Sequence, residues 1–474
     1  MTKLSMKRQS LLPIIPIITL VCLFFSSYSQ QVSLTGSAVG AEGKTIRLIT
    51  WGDLITFTEE KVAEAVIDTM GNFAMTFNLA ATSYISVAID LHRSDLFMQP
   101  GLTYRMKLAP INYTDNLEVN PFILSQNLEI ELINPGDNEL NIWINAYNDK
   151  YNQFLLDNFN VLYLERKKNY LDTFRLQVNG WYRGIDQPYF QNYMRYKTAG
   201  LEQIAHAQNT YNLARTYFID KPILYNNVEY MQFFNNYFTR YLTASSDILR
   251  KIDIKAIIKR TSPYPNLMKT MAADSVLRND TFRELVLLKG LFELFYSNQE
   301  LEDPIIEIFK TIIRESPQEM NRVIASNMLA KVTKLRHGTP APGFSLMGRT
   351  KDQFLSLNEF RGKPVVINFW TTFCQGCLAE MELEVLLYEK YKDQVEFISI
   401  SADRYWIKMN YFAQIKPEFA WTLLHFSDNT DLLVDYEVRT YPLYVVIDKE
   451  GNIVRAPAPG PSEGLEQVIE ELIN

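Results

Sequence analysis

Apolar and polar residues alternate along the chain between residues 30 and 115. The stretches "TIRLITW", "EAVIDTMGNFAMTFNL" and "SYISVAIDL" repeat with a period of two, and Gly and Asn separate them. This period is typical of strands with one buried face, and Gly71-Asn72 predicts a hairpin turn. Several short strands spaced in this way predict a small all-β, sandwich-like module.

The apolar period lengthens between residues 116 and 335. The stretches "ELVLLKGLFELFY", "PIIEIFKTIIRE" and "EMNRVIASNMLAKVTKL" place apolar residues at helical spacing. Pro222, Pro263, Pro304 and Pro317 are expected to start or end helices there. We therefore predict a central α-helical domain, in which the sequence offers no catalytic motif.

Strand-like and helix-like stretches alternate from residue 336 to residue 474. "PVVINFW" is followed by "AEMELEVLLYEKY" and "VEFISIS", and later by "LYVVID", "NIVRA" and the helical "EGLEQVIEELI". The order of strand, helix and strand, followed by two adjacent strands, predicts a mixed sheet with helices on both faces. The whole chain is thus expected to be multidomain, with an all-β module, a helical region and a C-terminal α/β domain.

The first 29 residues have the organisation of a signal peptide. A basic start, "MTKLSMKR", precedes the short apolar run "LLPIIPIITLVCLFF", and Ser27 and Ser29 supply the small residues of a cleavage site. The apolar run is shorter than a membrane span. No small residue precedes Cys22, so lipid attachment is not expected there. We predict cleavage after Ser29 and export to the periplasm.

Composition and cysteine count narrow the function classes. The chain is 47% apolar and 21% charged, as globular proteins are, and its formal net charge of −7 offers no basic surface for nucleic acid. Of its three cysteines, Cys22 would leave with the signal peptide. The mature chain would keep Cys374 and Cys377, too few for a disulfide framework.

The spacing of Cys374 and Cys377 is compatible with a metal site, a structural disulfide or a redox pair. A structural zinc site needs four ligands, and His337 and His425 stand apart from further ligands in the sequence. A disulfide that closes so short a loop constrains the unfolded chain little. We therefore expect redox chemistry that uses neither a metal nor a cofactor.

The two cysteines follow a predicted buried strand and open a predicted helix. Cys374 is expected at the helix N-terminus, where unpaired backbone N–H groups and the helix dipole favour a thiolate. Cys377 follows one turn later, on the same side of the helix. This arrangement predicts an exposed nucleophile followed by a shielded thiol that can bond to it.

Four motifs occur in order within residues 336–474: "GTPAPGFSL", "RGKPVVINFW", Cys-x-x-Cys and "TYPLYVVIDKEGNIV". In these motifs the segment resembles the TlpA/ResA-like group of exported thiol-disulfide oxidoreductases, which have a thioredoxin-like fold. The preceding β module and helices resemble the organisation of exported Bacteroidetes proteins of this kind. The resemblance implies a redox-active disulfide in which Cys374 attacks and Cys377 resolves.

The same resemblance assigns roles to further residues. Glu380, one turn after Cys377, would assist proton transfer, although the helix dipole alone also favours an acid there. Pro442 would be a cis-proline that faces the dithiol, and Tyr441, Pro442 and Trp370 would line the substrate groove. The alternatives are an ordinary trans-proline that opens a strand and a tryptophan that only fills the core.

Two positions depart from the pattern of the resembled group. Phe373 stands where relatives often carry Trp, and Gly376 where they commonly carry Pro, which suits the first turn of a helix. Since about 30 mV corresponds to about 1.4 kcal/mol, one altered hydrogen bond can change whether the pair donates or accepts electrons. Two hypotheses follow. The protein is an exported reductant of disulfide-bearing envelope proteins with a membrane thiol electron donor, or it is an envelope scaffold with a redox-inactive domain.

Overall fold

In the computed structural model, the described residues are 29–90, 92–110, 126–136, 139–206, 208–427 and 429–473. The predicted signal peptide up to residue 28, with Cys22, lies outside these ranges. The predicted cleavage point after Ser29 falls just before the first strand, which begins at Gln30. None of the helices in these ranges is long and apolar enough to cross a membrane.

The N-terminal part is a β module of two sheets that share one core. Within the described ranges its strands are β1 (Gln30–Ser37), β2 (Thr45–Trp51), β3 (Glu59–Val66), β4 (Asn72–Leu79), β5 (Ser83–Ile89), β6 (His92–Met98), β7 (Thr103–Leu108), β8 (Gln126–Asn127) and β9 (Ile130–Leu132). The sheets have the orders β4-β1-β7-β9 and β3-β2-β5-β6-β8. Leu34 of β1 and Leu48 of β2 pack in the same buried cluster, which confirms the predicted all-β module.

The predicted turn at Gly71 forms, but it does not make a hairpin. Gly71 has φ +81°, and its N–H donates to the carbonyl of Asp68 at 2.9 Å. The turn joins β3 to β4, yet β3 pairs with β2 whereas β4 pairs with β1 in the other sheet. The hairpin prediction is therefore wrong, because this turn carries the chain from one sheet to the other.

The β module extends beyond residue 115, where the sequence analysis ended it. β8 pairs with β6 and β9 pairs with β7, so the chain up to Leu132 still belongs to the two sheets. The first helix begins at Leu140, so the predicted helical domain starts later than residue 116. Strands of two and three residues are too short to show a period of two in the sequence.

The helical region runs from Leu140 to Thr333 and packs around cores that are rich in aromatic rings. Pro263 is the first residue of its seventh helix, as the sequence predicted. Leu54 and Ile55, from the loop after β2, pack into the same core as the later helices. The helices are α1 (Leu140–Tyr163), α2 (Lys168–Trp181), α3 (Pro188–Ile204), α4 (Thr210–Tyr217), α5 (Val228–Tyr237), α6 (Ile254–Ile258), α7 (Pro263–Met271), α8 (Asp280–Ser297), α9 (Glu302–Glu315) and α10 (Glu319–Thr333).

The described part of the C-terminal domain, from residue 336 to residue 473, is a mixed sheet with helices on both faces, as predicted. Its strands are β10 (Ser345–Met347), β11 (Phe354–Ser356), β12 (Val365–Trp370), β13 (Glu396–Ser401), β14 (Thr422–His425), β15 (Leu443–Ile447) and β16 (Ile453–Ala458). Its helices are α11 (Gln375–Tyr391), α12 (Trp406–Ile415), α13 (Thr430–Asp435) and α14 (Leu465–Ile473). The strand order is β11-β10-β14-β13-β12-β15-β16, with β12, β13 and β14 parallel. Side chains of α11, α12 and α14 cover one face, and those of α13 cover the other.

Candidate redox site

The two cysteines lie where the central strand gives way to a helix. Every residue of β12 is buried, and α11 begins at Gln375 with Cys374 as its N-cap. The Sγ atom of Cys374 accepts a hydrogen bond from the backbone N–H of Cys377 at 3.1 Å. Cys374 is half-buried, Cys377 has no exposed surface, and the two are joined by a disulfide. A thiolate on Cys374 would therefore be the accessible sulfur, stabilised by an N–H donor of the helix.

The loop before Cys374 is fixed by Asp403, which the sequence analysis missed. Asp403 is fully buried, and its carboxylate accepts hydrogen bonds from the N–H of Thr372 at 3.0 Å and from its hydroxyl at 2.7 Å. The hydroxyl of Ser401 donates to the same carboxylate at 2.6 Å. Asp403 lies two residues after the end of the buried strand β13, and a polar residue just past such a strand is the signal that could have pointed to it.

His425 holds the backbone of Asp403 from the neighbouring strand. Its Nδ1 atom accepts the N–H of Ser427 at 3.0 Å, so the proton is on Nε2, which donates to the carbonyl of Asp403 at 2.6 Å. The imidazole thus acts as a neutral structural link. The arrangement ties the ends of β13 and β14 to the loop that carries Cys374.

The predicted groove residues Tyr441 and Pro442 lie together before β15. The Tyr441–Pro442 peptide bond is cis, which is the state the resemblance implied. The hydroxyl of Tyr441 is buried without a hydrogen-bond partner among the described residues, and burial together with the charge of Asp403 raises the pKa of this phenol. The backbone N–H groups of Arg439, Thr440 and Tyr441 also donate to no described residue. This segment therefore offers free donors beside the proline.

Trp370 does not line the groove, contrary to the expectation from the sequence. Its side chain has no exposed surface and packs against Phe412 of α12, with ring centroids 4.8 Å apart. It belongs to the same buried cluster as Cys377. Because β12 is covered on both faces, Trp370 packs beneath α11 and has no surface that a substrate could contact.

Glu380 lies one turn after Cys377 on α11, but its carboxylate is already engaged. It accepts hydrogen bonds from the backbone N–H of Ser462 at 2.9 Å and from the hydroxyl of the same residue. This contact joins α11 to the segment before α14. The role of Glu380 in proton transfer stays a prediction.

Glu384, one turn beyond Glu380, is a second acid that the sequence analysis missed. It is fully buried, and its carboxyl accepts a hydrogen bond from the hydroxyl of Tyr444 at 3.1 Å. Burial raises the pKa of Glu384 to about 8, although the contacts with Tyr444 and Asn368 lower it, and the charge of Glu380 raises it further. The spacing from Cys377 places Glu384 on the buried side of α11, which could have revealed it.

Comparisons with known proteins agree with this geometry. The profile of the Redoxin family matches residues 336–471. The chain is 31% identical to the thiol-disulfide oxidoreductase ResA of Bacillus cereus over 128 residues. The aligned residues make up 27% of this chain and 72% of that relative. It is also 30% identical to ResA of Halalkalibacterium halodurans over 149 residues. That alignment covers 31% of this chain and 83% of that relative.

Two solved structures are also similar to part of this chain. The thioredoxin domain of a thiol-disulfide oxidoreductase from Bacteroides vulgatus has 26% identity and a TM-score of 0.27, covering 30% of this chain and 99% of that one. A thiol:disulfide interchange protein from Bacteroides sp. has 28% identity and a TM-score of 0.27, covering 30% and 92%. The family profile and the ResA relatives show that the chain belongs to the redoxin family of thioredoxin-like thiol-disulfide oxidoreductases.

Proposed function

We propose that the protein is exported and reduces disulfides of other envelope proteins, with Cys374 as the attacking cysteine and Cys377 as the resolving one. The observation that carries this proposal is the asymmetry of the pair. Cys374 is half-buried at the start of α11, whereas Cys377 has no exposed surface. After residue 29 the sequence contains no other cysteine, so the disulfide to be reduced belongs to another molecule.

The reaction is a two-step exchange of sulfur bonds. The thiolate of Cys374 attacks one sulfur of the substrate disulfide, forms a mixed disulfide and expels the other substrate sulfur as a thiolate. The thiolate of Cys377 then attacks Sγ of Cys374 and releases the second substrate sulfur. Two electrons pass to the substrate, whose thiolates take up the protons that the two cysteines have lost. The protein is left as the Cys374–Cys377 disulfide, and a membrane thiol electron donor returns it to the dithiol.

Export is supported by the amino-acid sequence of the first 29 residues. Cleavage after Ser29 would leave β1, which begins at Gln30, intact. Protein isolated from the envelope fraction should therefore give an N-terminal sequence that starts at Gln30 or within a residue or two. A mature chain that retains Lys3 would contradict export by this signal.

Reduction of insulin by dithiothreitol tests the redox activity. The wild-type protein should accelerate the precipitation of the insulin B chain, and the variant with both Cys374→Ala and Cys377→Ala should not. No acceleration over the uncatalysed rate by folded wild-type protein would favour the alternative, an envelope scaffold whose C-terminal domain no longer performs exchange.

A further inference from the structure

A cleft lies between the helical region and the C-terminal domain. Its volume of about 720 Å³ is within the range typical of ligand sites. On the helical side it is bounded by the ends of α8 and α10, and on the other side by the segments that carry the redox site. Residues that line it include Phe295, Tyr296, Val332 and Leu335 of the first wall, and Gly376, Pro442 and Tyr444 of the second.

The cleft, which we call the interdomain cleft, borders the turn of α11 that carries the sulfur pair. Gly376 lines it and stands between the bonded residues Cys374 and Cys377. Pro442 lines it as well, from the segment whose backbone N–H groups at Arg439 and Thr440 have no partner among the described residues. A molecule held in the cleft therefore lies beside the helix turn where exchange takes place.

The two walls are held together by contacts across the domain boundary. The Nζ atom of Lys334 bonds to the carboxylate of Asp435 at 2.7 Å and lies 3.4 Å from the carbonyl of Val434. Leu335 packs against the core of the C-terminal domain. The cleft is thus formed before a ligand arrives.

The cations of the cleft are already bonded within the chain. Lys331 donates to the carbonyl of Thr56 at 2.7 Å, Arg336 to Asp303 at 2.7 Å, and Arg439, on the surface, lies 3.5 Å from the carboxylate of Glu437. The cleft is also lined by four glutamates, whose charges disfavour the carboxylates of a small disulfide such as oxidised glutathione: Glu302, Glu380, Glu437 and Glu463. Beside the charged side chains of Glu302, Lys331 and Arg336, the helical wall presents apolar surface, and Tyr296, with 59% of its surface exposed, is its most accessible ring.

We propose that the helical region supplies one wall of the substrate site, where Tyr296 and its apolar neighbours bind an aromatic or large aliphatic side chain close to the reactive cysteine of a disulfide-bearing polypeptide. A polypeptide fits because it brings an apolar side chain for this wall and backbone carbonyls for the free N–H groups at Arg439 and Thr440. The inference rests on the proposed function and names the class of substrate recognised.

Synthetic peptides test the inference. Each peptide contains one cysteine, in a mixed disulfide with thionitrobenzoate, within a Gly-Ser sequence. Across the series a single Phe is placed at successive positions on either side of that cysteine. The peptide without Phe, called the Gly-Ser peptide, is the reference. Release of thionitrobenzoate by the reduced protein reports the attack of Cys374. The proteins compared are the wild type, Tyr296→Ala, Tyr296→Phe and, as a matched control, Tyr163→Ala, which removes a tyrosine that is 53% exposed on α1 outside the cleft.

The wild type should attack the best Phe peptide about tenfold faster than the Gly-Ser peptide, as expected when an aromatic pair forms. Tyr296→Ala should lose most of this preference, whereas Tyr296→Phe and Tyr163→Ala should keep it, and Tyr163→Ala should also keep the wild-type rate with the Gly-Ser peptide. Equal rates for all peptides, a preference that survives in Tyr296→Ala, or faster reduction of oxidised glutathione than of any peptide would overturn the inference. The proposed function would survive these results if insulin is still reduced. Failure with every peptide and with insulin would overturn both.

Discussion

Glu384 places a carboxylic acid within the buried stripe of α11. Its neighbours on this stripe are Met381 and Leu387, and the hydroxyl of Tyr444 is its hydrogen-bond donor. One carboxylate oxygen has no hydrogen-bond partner among the described residues. Removing a carboxylate from water favours its protonated form, so the fold holds a proton that an exposed glutamate would release.

This buried acid predicts a pH dependence of stability. The carboxyl ionises near pH 4.5 in the unfolded chain and near pH 8 in the fold, so between these values the folded state binds the extra proton and its stability falls as the pH rises. Glu384→Gln removes the titration and keeps the shape. From pH 5 to pH 8 the free energy of unfolding of the variant should rise relative to the wild type by roughly 2–4 kcal/mol. Urea unfolding at several pH values measures this, and a constant difference would contradict the assignment.

The loop between β12 and α11 is fixed by one carboxylate. Asp403 accepts hydrogen bonds from both the backbone and the side chain of Thr372, two residues before Cys374. The pairing between β12 and β13 brings the ends of these strands together, which places Asp403 under the loop. The position of Cys374 therefore depends on Asp403, which follows β13 and lies beyond the whole of α11 in the sequence.

Replacing Asp403 should loosen this loop. In Asp403→Ala the donors of Thr372 and Ser401 lose a charged acceptor in a buried place, so the free energy of unfolding should fall by about 2–3 kcal/mol. Amide hydrogen exchange at Thr372 should accelerate as well. The matched control Asp352→Asn changes an exposed acid of the same domain and should stay within about 0.5 kcal/mol of the wild type. Unchanged exchange at Thr372 in Asp403→Ala would refute the anchoring role.

For this part of the site, the sequence predicts the order of strand and helix, but it does not predict contacts between residues that are distant in the chain. The apolar run of β12 followed by the pattern of α11 was enough to place Cys374 at the helix N-terminus. The partners of Asp403 and Glu384, which are Thr372 and Tyr444, come from other elements and cannot be read from spacing. For Trp370 the sequence left the groove and the core as alternatives, because a strand covered on both faces shows no alternation, and the structure places it in the core.

A loop of the β module enters the helical region and joins these two parts of the molecule. Leu54 and Ile55 are buried in the helical core. The carbonyl of Leu54 accepts a hydrogen bond from the side chain of Asn235 at 2.8 Å, and the carboxylate of Asp53 accepts one from Asn327 at 2.9 Å. This loop of the β module is therefore part of the helical core, which the separate sequence patterns did not indicate.

Because Leu54 packs in the helical core, we predict that this residue of the β module contributes to the stability of the helices. Leu54→Ala leaves a cavity among helical side chains and should lower the free energy of unfolding by about 2–4 kcal/mol. Hydrogen exchange in α5 should become faster, because Leu54 contacts that helix through Asn235. Leu102→Ala, at a position that is 44% exposed in the same module, should change neither quantity. Equal effects of the two substitutions would show that the loop is not part of the helical core.

The assignment of Cys374 as the attacking thiol and Cys377 as the resolving thiol is tested most directly by trapping the mixed disulfide. In Cys377→Ala the attacking sulfur remains, but nothing within the chain can release the bound substrate. Non-reducing gels of cells that express this variant should show new high-mass bands that disappear with reductant, and the variant that also carries Cys374→Ala should show none. Bands of equal strength from Cys374→Ala alone, or their absence with folded Cys377→Ala protein, would contradict the account.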